Sequence, residues 1–251
     1  MKFTAAVFLA AASTAAAFSP FGKPAAAPAK TAVAAATSTG WVPDSSKFAY
    51  GLPGSIDPVP EFDPLGFAAN ADLQKMLQYR EAELQHGRVA MLGALGMLVT
   101  EEPIEFHPLF EANNKDIGPA IRHLDEVRAV NPAFFEILGI VIGALELNRA
   151  VTGWTAPGDV LASGRVFKDG YAPGDVNFDP LNLKPQDADE FEIMQTKELQ
   201  NGRLAMIGFA GMVAQELVNG EEIFVSAGLA PDRFNPDTMP VKDFLFGAPS
   251  V

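Results

Sequence analysis

The chain has 251 residues, of which 48% are hydrophobic and 20% are charged, so its apolar content is sufficient for a folded core. Its formal net charge of −13 argues against nucleic acid as a partner, because phosphate binding needs a basic surface. It contains no cysteine, which excludes disulfides, thiolate zinc sites, Cys-ligated iron–sulfur clusters and a cysteine nucleophile.

The N-terminal residues have the composition of a targeting leader. Residues 1–17 combine an early lysine, an apolar stretch and the small residues Ala15-Ala16-Ala17, which predicts a signal peptide. Residues 18–40 contain no acid, which is typical of transit segments. This order resembles the bipartite leader of plastids bounded by extra membranes, and a secreted protein with a flexible linker is the alternative. The functional domain is placed at residues 41–251.

Three long helices are predicted along that domain, which makes it an all-α protein. The first runs from about 72 to 101, where Pro103 prevents continuation. The second covers about 132–151, and the third runs from about 187 to 219, with Gly220 as its stop signal. The first and third are rich in Leu, Ala, Met, Glu and Gln and have no internal proline.

The first and third helices contain an internal repeat. Residues 83–101 and 198–216 match without a gap at 11 of 19 positions, with the shared frame Glu-Leu-Gln-x-Gly-Arg-x-Ala-Met-x-Gly-x-x-Gly-Met. Each copy follows a similar segment, Glu61-Phe62-Asp63-Pro64-Leu65-Gly66 in one and Asn177-Phe178-Asp179-Pro180-Leu181-Asn182 in the other. A repeat of this kind predicts two equivalent helices related by internal symmetry.

The uncharged stretches of the first and third helices are shorter than a typical membrane span. The longest uncharged runs, 89–100 and 204–215, have 12 residues each, whereas a spanning helix uses roughly 20 apolar residues. Small residues such as Gly93 and Gly208 lie on otherwise apolar helices, which favours close packing in lipid. We expect three transmembrane helices, provided that the charged turns are neutralised inside the bundle.

Helix geometry predicts how those charges pair. Within one helix Glu83 and Arg88 lie about 140° apart, so an ion pair between them is awkward, and the same holds for Glu198 and Arg203. The repeat supplies the alternative partners, Glu83 with Arg203 and Glu198 with Arg88. An unpaired charge in hydrocarbon costs about 2.5 kcal/mol or more, so we expect both pairs to form.

Each paired glutamate keeps one oxygen, and each repeat adds a second polar group one turn later. His86 and Asn201 occupy that position, and both suit a magnesium-type ion. These groups lie singly on helix surfaces, whereas a bare Mg²⁺ needs about six oxygens in one place. A metal held by a macrocycle needs only an axial ligand, so the pattern fits several chlorophylls better than one metal ion.

The repeated motifs closely resemble those of the chlorophyll a/b- and a/c-binding light-harvesting family. The resemblance extends from about Phe62 to Asn219. The leader and the middle region look most like the fucoxanthin–chlorophyll a/c proteins, and among them the red-algal-type group associated with photosystem I. The resemblance implies three transmembrane helices, two of them crossed, with carotenoids in the grooves of the crossing.

The resemblance also implies roles for individual residues. The chlorophyll magnesium would be held through axial ligands at Glu83, His86, Glu198, Asn201, Gln215, Glu146 and Glu136. Structural ion pairs would be made by Arg88, Arg203 and Arg149. Glu136 lies ten residues before Glu146, an imperfect register for the family's second ligand on the middle helix.

The function implied by the resemblance is light harvesting in the plastid thylakoid membrane. Chlorophyll a, chlorophyll c and carotenoids, either fucoxanthin or another xanthophyll, would be the cofactors. The partners would be a photosystem core, with photosystem I favoured over II, and other antenna proteins. No bond is made or broken, so no catalytic residue is assigned.

Two alternatives stay open at this point. A photoprotective protein of the same fold would dissipate excitation energy, and the ligand set does not separate it from an antenna. A di-iron carboxylate bundle uses Glu-x-x-His motifs on two helices, but here only Glu83 and His86 form one, since the second copy has Asn201.

Overall fold

The computed structural model describes residues 41–101, 104, 106, 118–155, 167–168 and 170–229. The predicted signal and transit segments, 1–40, lie outside the described residues. Within the described part the chain is helical, and the β-structure there is one isolated antiparallel bridge between Trp154 and Phe167.

The helices are bounded as follows: α1 Leu73–Thr100, α2 His123–Val130, α3 Phe134–Gly153, α4 Ala188–Asn219 and α5 Ile223–Ser226. Short 3₁₀ turns cover Phe48–Gly51 and Ala120–Arg122. The ends of α1, α3 and α4 differ from the predicted bounds by at most two residues. Such differences are within the fraying expected at helix termini.

Side-chain caps fix the starts of the two repeated helices. The carboxylate of Asp72 accepts a hydrogen bond from Lys75 N at 2.8 Å, and Asp187 accepts one from Glu190 N at 3.3 Å. Each satisfies a backbone donor that has no partner inside the helix. At the other end of α4, Gly220 has φ +71° and donates its N–H to Glu216 O, which closes the last turn in the left-handed conformation that glycine favours.

Helices α1 and α4 meet backbone to backbone at Gly87 and Gly202. Both glycines are buried, and a Cβ added to either would lie 3.0 Å from the Cα of the other. The two glycines are the same position of the repeat. Their contact places each Glu-x-x-His/Asn-Gly-Arg segment against its counterpart.

Helix α3 makes fewer contacts with the rest of the described chain. Among the described residues of α3, only Gly153, at the C-terminal end, is buried. Side chains such as Ile140 and Leu145 are exposed. The chain after α3 packs against the start of α1, through a cluster of Trp41, Leu73, Leu77, Trp154, Phe167 and Tyr171. At its other end, Phe134 and Phe135 pack against Val127 of α2, so α3 has contacts at both ends.

No single described helix combines the length and the apolar composition of a membrane span. Residues 120–130 and 134–153 meet that criterion together, with a bend of 110° between them.

Candidate functional site

Two ion pairs join α1 to α4, and they are reciprocal. Arg88 Nε donates to Glu198 Oε1 at 2.8 Å, and Arg203 Nε and Nη2 both lie 2.7 Å from Glu83 Oε1. All four side chains are about one-third exposed, between 28% and 37%. These are the two pairs that the helix geometry predicts from the sequence.

Each arginine is also held by a glycine carbonyl. Arg203 Nη1 donates to Gly54 O at 2.6 Å, and Arg88 Nη1 donates to Gly174 O at 2.9 Å. Both glycines have positive φ, +109° and +82°, which a residue with a side chain rarely adopts. The loops before α1 and α4 thus complete the charge pairing, a contact that the sequence did not predict.

The space at these two glycines is as restricted as their conformation. A Cβ at Gly54 would lie 2.8 Å from Leu199 Cδ1, and one at Gly174 would lie 2.7 Å from Leu84 Cδ1. Leu84 and Leu199 are equivalent residues of the repeat. The loops therefore approach the two helices in matching ways, and each glycine directly follows a proline, Pro53 or Pro173.

The side chains of His86 and Asn201 are exposed, and each is oriented by a hydrogen bond to a backbone carbonyl of its own helix. His86 Nδ1 lies 2.7 Å from Ala82 O, and Asn201 Nδ2 donates to Lys197 O at 2.8 Å. A carbonyl oxygen only accepts, so the neutral imidazole carries its proton on Nδ1 and keeps its Nε2 lone pair. Neither His86 Nε2 nor Asn201 Oδ1 has a protein partner among the described residues, so each offers a ligand atom held in a fixed direction.

The two paired glutamates are not identical as ligands. Glu198 Oε2 accepts no hydrogen bond from the described residues, so it remains available to a metal centre. Glu83 Oε2 lies 3.4 Å from Arg80 Nε, and Arg80 corresponds to the uncharged Gln195 in the second copy. Glu83 Oε2 is therefore the weaker metal ligand of the two glutamate oxygens, because it also interacts with the cation of Arg80.

On α3 the predicted pair Glu146 and Arg149 is present. Arg149 Nε and Nη2 lie 2.9 and 2.7 Å from Glu146 Oε2, and Glu146 is 53% exposed. Glu136 is exposed in the first turn of α3, and Gln215 is half-buried near the end of α4. The structure does not bring Glu136 or Gln215 together with the other predicted ligands.

Glu81 is a buried residue beside the site that the sequence did not single out. It is 3% exposed and accepts hydrogen bonds from Arg149 Nη1 at 3.0 Å, Tyr171 Oη at 3.1 Å and Gly174 N at 2.6 Å. Burial, together with the charge of Glu81, raises the pKa of Tyr171 far above its usual value, so the phenol stays protonated and donates. The repeat gives no signal here, because the matching position is Thr196.

The last residues of the repeat, Glu101 and Glu216, are also buried, at 0% and 1% exposure. Glu101 Oε2 accepts from Ile223 N, the first residue of α5, at 2.8 Å, and Glu216 Oε2 accepts from Ile121 N at 2.9 Å. Each long helix thus caps the short helical turn that follows the other one. Their identity in the repeat was the available signal.

The Asp-Pro segments before α1 and α4 fold as matching turns. Asp63 accepts from the backbone N–H of Phe67 and Ala68, and Asp179 accepts from those of Leu183 and Lys184, at 2.7–3.0 Å. The backbone hydrogen bonds from Lys184 and Leu183 lower the pKa of Asp179, so its carboxylate is ionised and stable as an acceptor.

A cavity of about 560 Å³ opens beside the Arg88–Glu198 pair. Its wall includes the apolar side chains of Trp41, Leu84, Phe178, Phe191 and Leu199. A volume of this size is within the range of ligand sites. In the part of the chain that the structure describes, no three His, Asp or Glu side chains converge as a metal site. Isolated ligands match the donor set that a macrocycle-bound magnesium needs.

The comparisons with known proteins agree with this geometry. The family model described as chlorophyll A-B binding protein matches residues 48–217. The chain is 48% identical over 183 residues to light-harvesting complex stress-related protein 3.2, chloroplastic, of Chlamydomonas reinhardtii, covering 70% of this chain and 68% of that protein. It is 46% identical over 179 residues to the fucoxanthin-chlorophyll a-c binding protein, chloroplastic, of Isochrysis galbana, covering 70% of this chain and 81% of that one.

A more distant relative comes from a plant. Chlorophyll a-b binding protein 4, chloroplastic, of Arabidopsis thaliana is 35% identical over 198 residues, covering 73% of this chain and 70% of that protein. The chain belongs to the light-harvesting chlorophyll a-b binding protein family. The resemblance found in the sequence is confirmed, and the di-iron alternative is set aside.

Proposed function

We propose that this protein is a light-harvesting antenna protein that binds chlorophyll a, chlorophyll c and carotenoid and passes excitation energy to a photosystem. The observation that carries the proposal is the pair of oriented ligand atoms, His86 Nε2 and Asn201 Oδ1, on two helices fixed by reciprocal ion pairs. The relatives named as fucoxanthin-chlorophyll a-c binding proteins support chlorophyll c and fucoxanthin, or another xanthophyll, as pigments.

The proposed axial ligands fall into two groups. Those on α1 and α4 are Glu83, His86, Glu198, Asn201 and Gln215, and those on α3 are Glu146 and Glu136. Bound chlorophyll supplies the excited state. The chain supplies the positions: an arginine anchors Glu83, Glu198 and Glu146. A backbone carbonyl orients His86 and Asn201. No residue acts as a catalyst in this scheme.

We place α1, α3 and α4 across the thylakoid membrane, with α1 and α4 crossed and related by the internal repeat. The support is chemical: the charges of Glu83 and Glu198 are paired across the crossing, and glycines lie at the contact. Large apolar side chains of α3 such as Ile140 and Leu145 are exposed, as lipid-facing or pigment-facing residues would be.

The proposed route to the thylakoid uses the leader. Residues 1–17 would act as a signal peptide and 18–40 as a plastid transit segment, which leaves 41–251 as the pigment-binding domain. The proposed partners are a photosystem core, with photosystem I favoured over II, and other antenna proteins.

The second candidate function is dissipation of excitation energy. The observation in its favour is the 48% identity to a stress-related relative, which is similar to the identity to the fucoxanthin-chlorophyll protein. The fluorescence lifetime of bound chlorophyll separates the two functions. A long lifetime supports delivery of energy, and a strongly shortened one supports dissipation.

The antenna function is tested by a fluorescence excitation spectrum of the full chain refolded with pigments in detergent. Light absorbed by the carotenoid should produce chlorophyll emission, because both pigments are held on one scaffold. A matched sample of free pigments in the same detergent is the control. Chlorophyll emission without any carotenoid contribution would contradict the antenna proposal.

A further inference from the structure

The guanidinium of Arg149 forms ion pairs with two carboxylates. Its Nε and Nη2 both contact Glu146 Oε2, at 2.9 and 2.7 Å, while its Nη1 donates to Glu81 Oε1 at 3.0 Å. An isolated arginine and a carboxylate commonly form two parallel hydrogen bonds that use both oxygens. Here both donors of one edge fall on a single oxygen, and Glu146 Oε1 has no donor among the described residues.

Glu81 is held rigidly enough to impose that arrangement. It is buried, and its other oxygen accepts from Tyr171 Oη and Gly174 N, so its carboxylate has no freedom to follow Arg149. Gly174 is itself fixed by Arg88, which belongs to the central crossing. A chain of contacts therefore runs from the α1–α4 pair through Glu81 to the side chain of Arg149 on α3.

We propose that Glu81 is a positioning residue for the chlorophyll site at Glu146. By holding Arg149 through Nη1, it keeps the guanidinium on one oxygen of Glu146 and leaves the other as a ligand for the chlorophyll magnesium. Without the Glu81 charge, Arg149 turns so that it covers both oxygens of Glu146. The inference rests on the proposed pigment-binding function and assigns one residue the control of one pigment.

The test compares Glu81→Gln with Glu146→Leu in the full chain refolded with pigments. Glutamine keeps the size of Glu81 and can still accept from Gly174 N, so the change removes mainly the attraction for Arg149. Loss of a supporting contact commonly weakens a metal ligand roughly 10–100-fold. Both variants should therefore lose the same red absorption band after repurification, and the double variant should lose nothing further.

The matched control is Tyr171→Phe, which removes a hydrogen bond from the same carboxylate without touching Arg149. It should keep the band, whereas a merely structural role of Glu81 would make all three variants lose pigment together. If Glu81→Gln does not refold, Glu81→Asp keeps the charge but withdraws it from Arg149, and it should weaken the same band.

The outcomes separate the two claims. A full band in Glu81→Gln, or in Glu81→Asp, alongside its loss in Glu146→Leu overturns the role of Glu81 only. A wild-type chain that takes up no chlorophyll overturns the proposed function itself.

Discussion

The side chains of His86 and Asn201 differ, yet one backbone contact orients both. Each donates to the carbonyl four residues earlier, Ala82 or Lys197, and points its acceptor away from the helix. Such a contact fixes the tautomer of a histidine and the direction of its lone pair. At the scale of single residues, the proposed ligands His86 and Asn201 are therefore each oriented separately by their own helix.

The replacement His86→Leu should remove about one chlorophyll per chain while the fold survives, because a single axial ligand is lost and the side chain is exposed. The measurement is the pigment content per chain after refolding and repurification. His86→Asn is the control, since asparagine occupies the same position in the second copy and should retain the pigment. An unchanged chlorophyll content in His86→Leu would remove His86 as a ligand.

The replacement Arg88→Leu should abolish refolding or remove the Glu198 pigment. It leaves Glu198 without its cation and Gly174 O without its donor, and an unpaired charge in hydrocarbon costs about 2.5 kcal/mol or more. The yield and absorption spectrum of the refolded complex measure the effect. Arg128→Leu, which changes an exposed arginine in α2, is the control. A wild-type yield and spectrum in Arg88→Leu would contradict the importance of the cross-pairing.

Among the helices, the glycine contact sets how closely α1 and α4 approach. Gly87 and Gly202 leave room for the ion pairs above and below them to close at 2.7–2.8 Å. In lipid, such close packing is a main source of helix association, because the hydrophobic effect does not drive helices together there.

The replacement Gly87→Ala should lower the thermal stability of the pigment complex, because its Cβ would lie 3.0 Å from Gly202 Cα, which is backbone and cannot give way. Gly96→Ala is a matched control in the same helix, since a Cβ there meets nothing within 4 Å. The control should be neutral or stabilise by up to about 1 kcal/mol through helix propensity. Equal melting temperatures for the two variants would show that the glycine contact is not needed.

The buried carboxylates at the ends of α1 and α4 connect the long helices to the short ones. Replacing Glu101 by Leu removes the acceptor of Ile223 N and of Ala120 N, both half-buried, so we expect a loss of about 0.5–1.5 kcal/mol for each hydrogen bond. Thermal denaturation measures it, with Glu192→Leu, on the exposed face of α4, as the control. A melting temperature as high in Glu101→Leu as in Glu192→Leu would argue against the capping role.

For the whole molecule, the repeat explains why so much was predictable. The ends of the two repeated helices followed from Pro103 and Gly220, which are local signals. The cross-pairing of Glu83 with Arg203 and of Glu198 with Arg88 followed because a helix separates residues five apart by a large angle. Both arguments need only the sequence and the geometry of one helix.

The remaining contacts could not be predicted, because they depend on how loops return to the helices. Gly54 and Gly174 each follow a proline, but that dipeptide does not indicate that their carbonyls accept from the arginines, a contact made only in the folded chain. Glu81 has no counterpart in the repeat, and its partners Arg149 and Tyr171 are 68 and 90 residues away. Contacts at such separations leave no periodic signal in the sequence.

In the described part of the chain, α1 and α4 form a closely packed pair, and α3 is joined to it through Glu81 and an aromatic cluster. We propose that the ligand atoms on these helices hold chlorophyll. The most direct measurement is to refold the full chain in detergent with a thylakoid pigment extract, repurify it, and record its absorption and pigment content. Red-absorbing chlorophyll and carotenoid should remain with the folded protein. A folded but colourless protein would contradict the proposal.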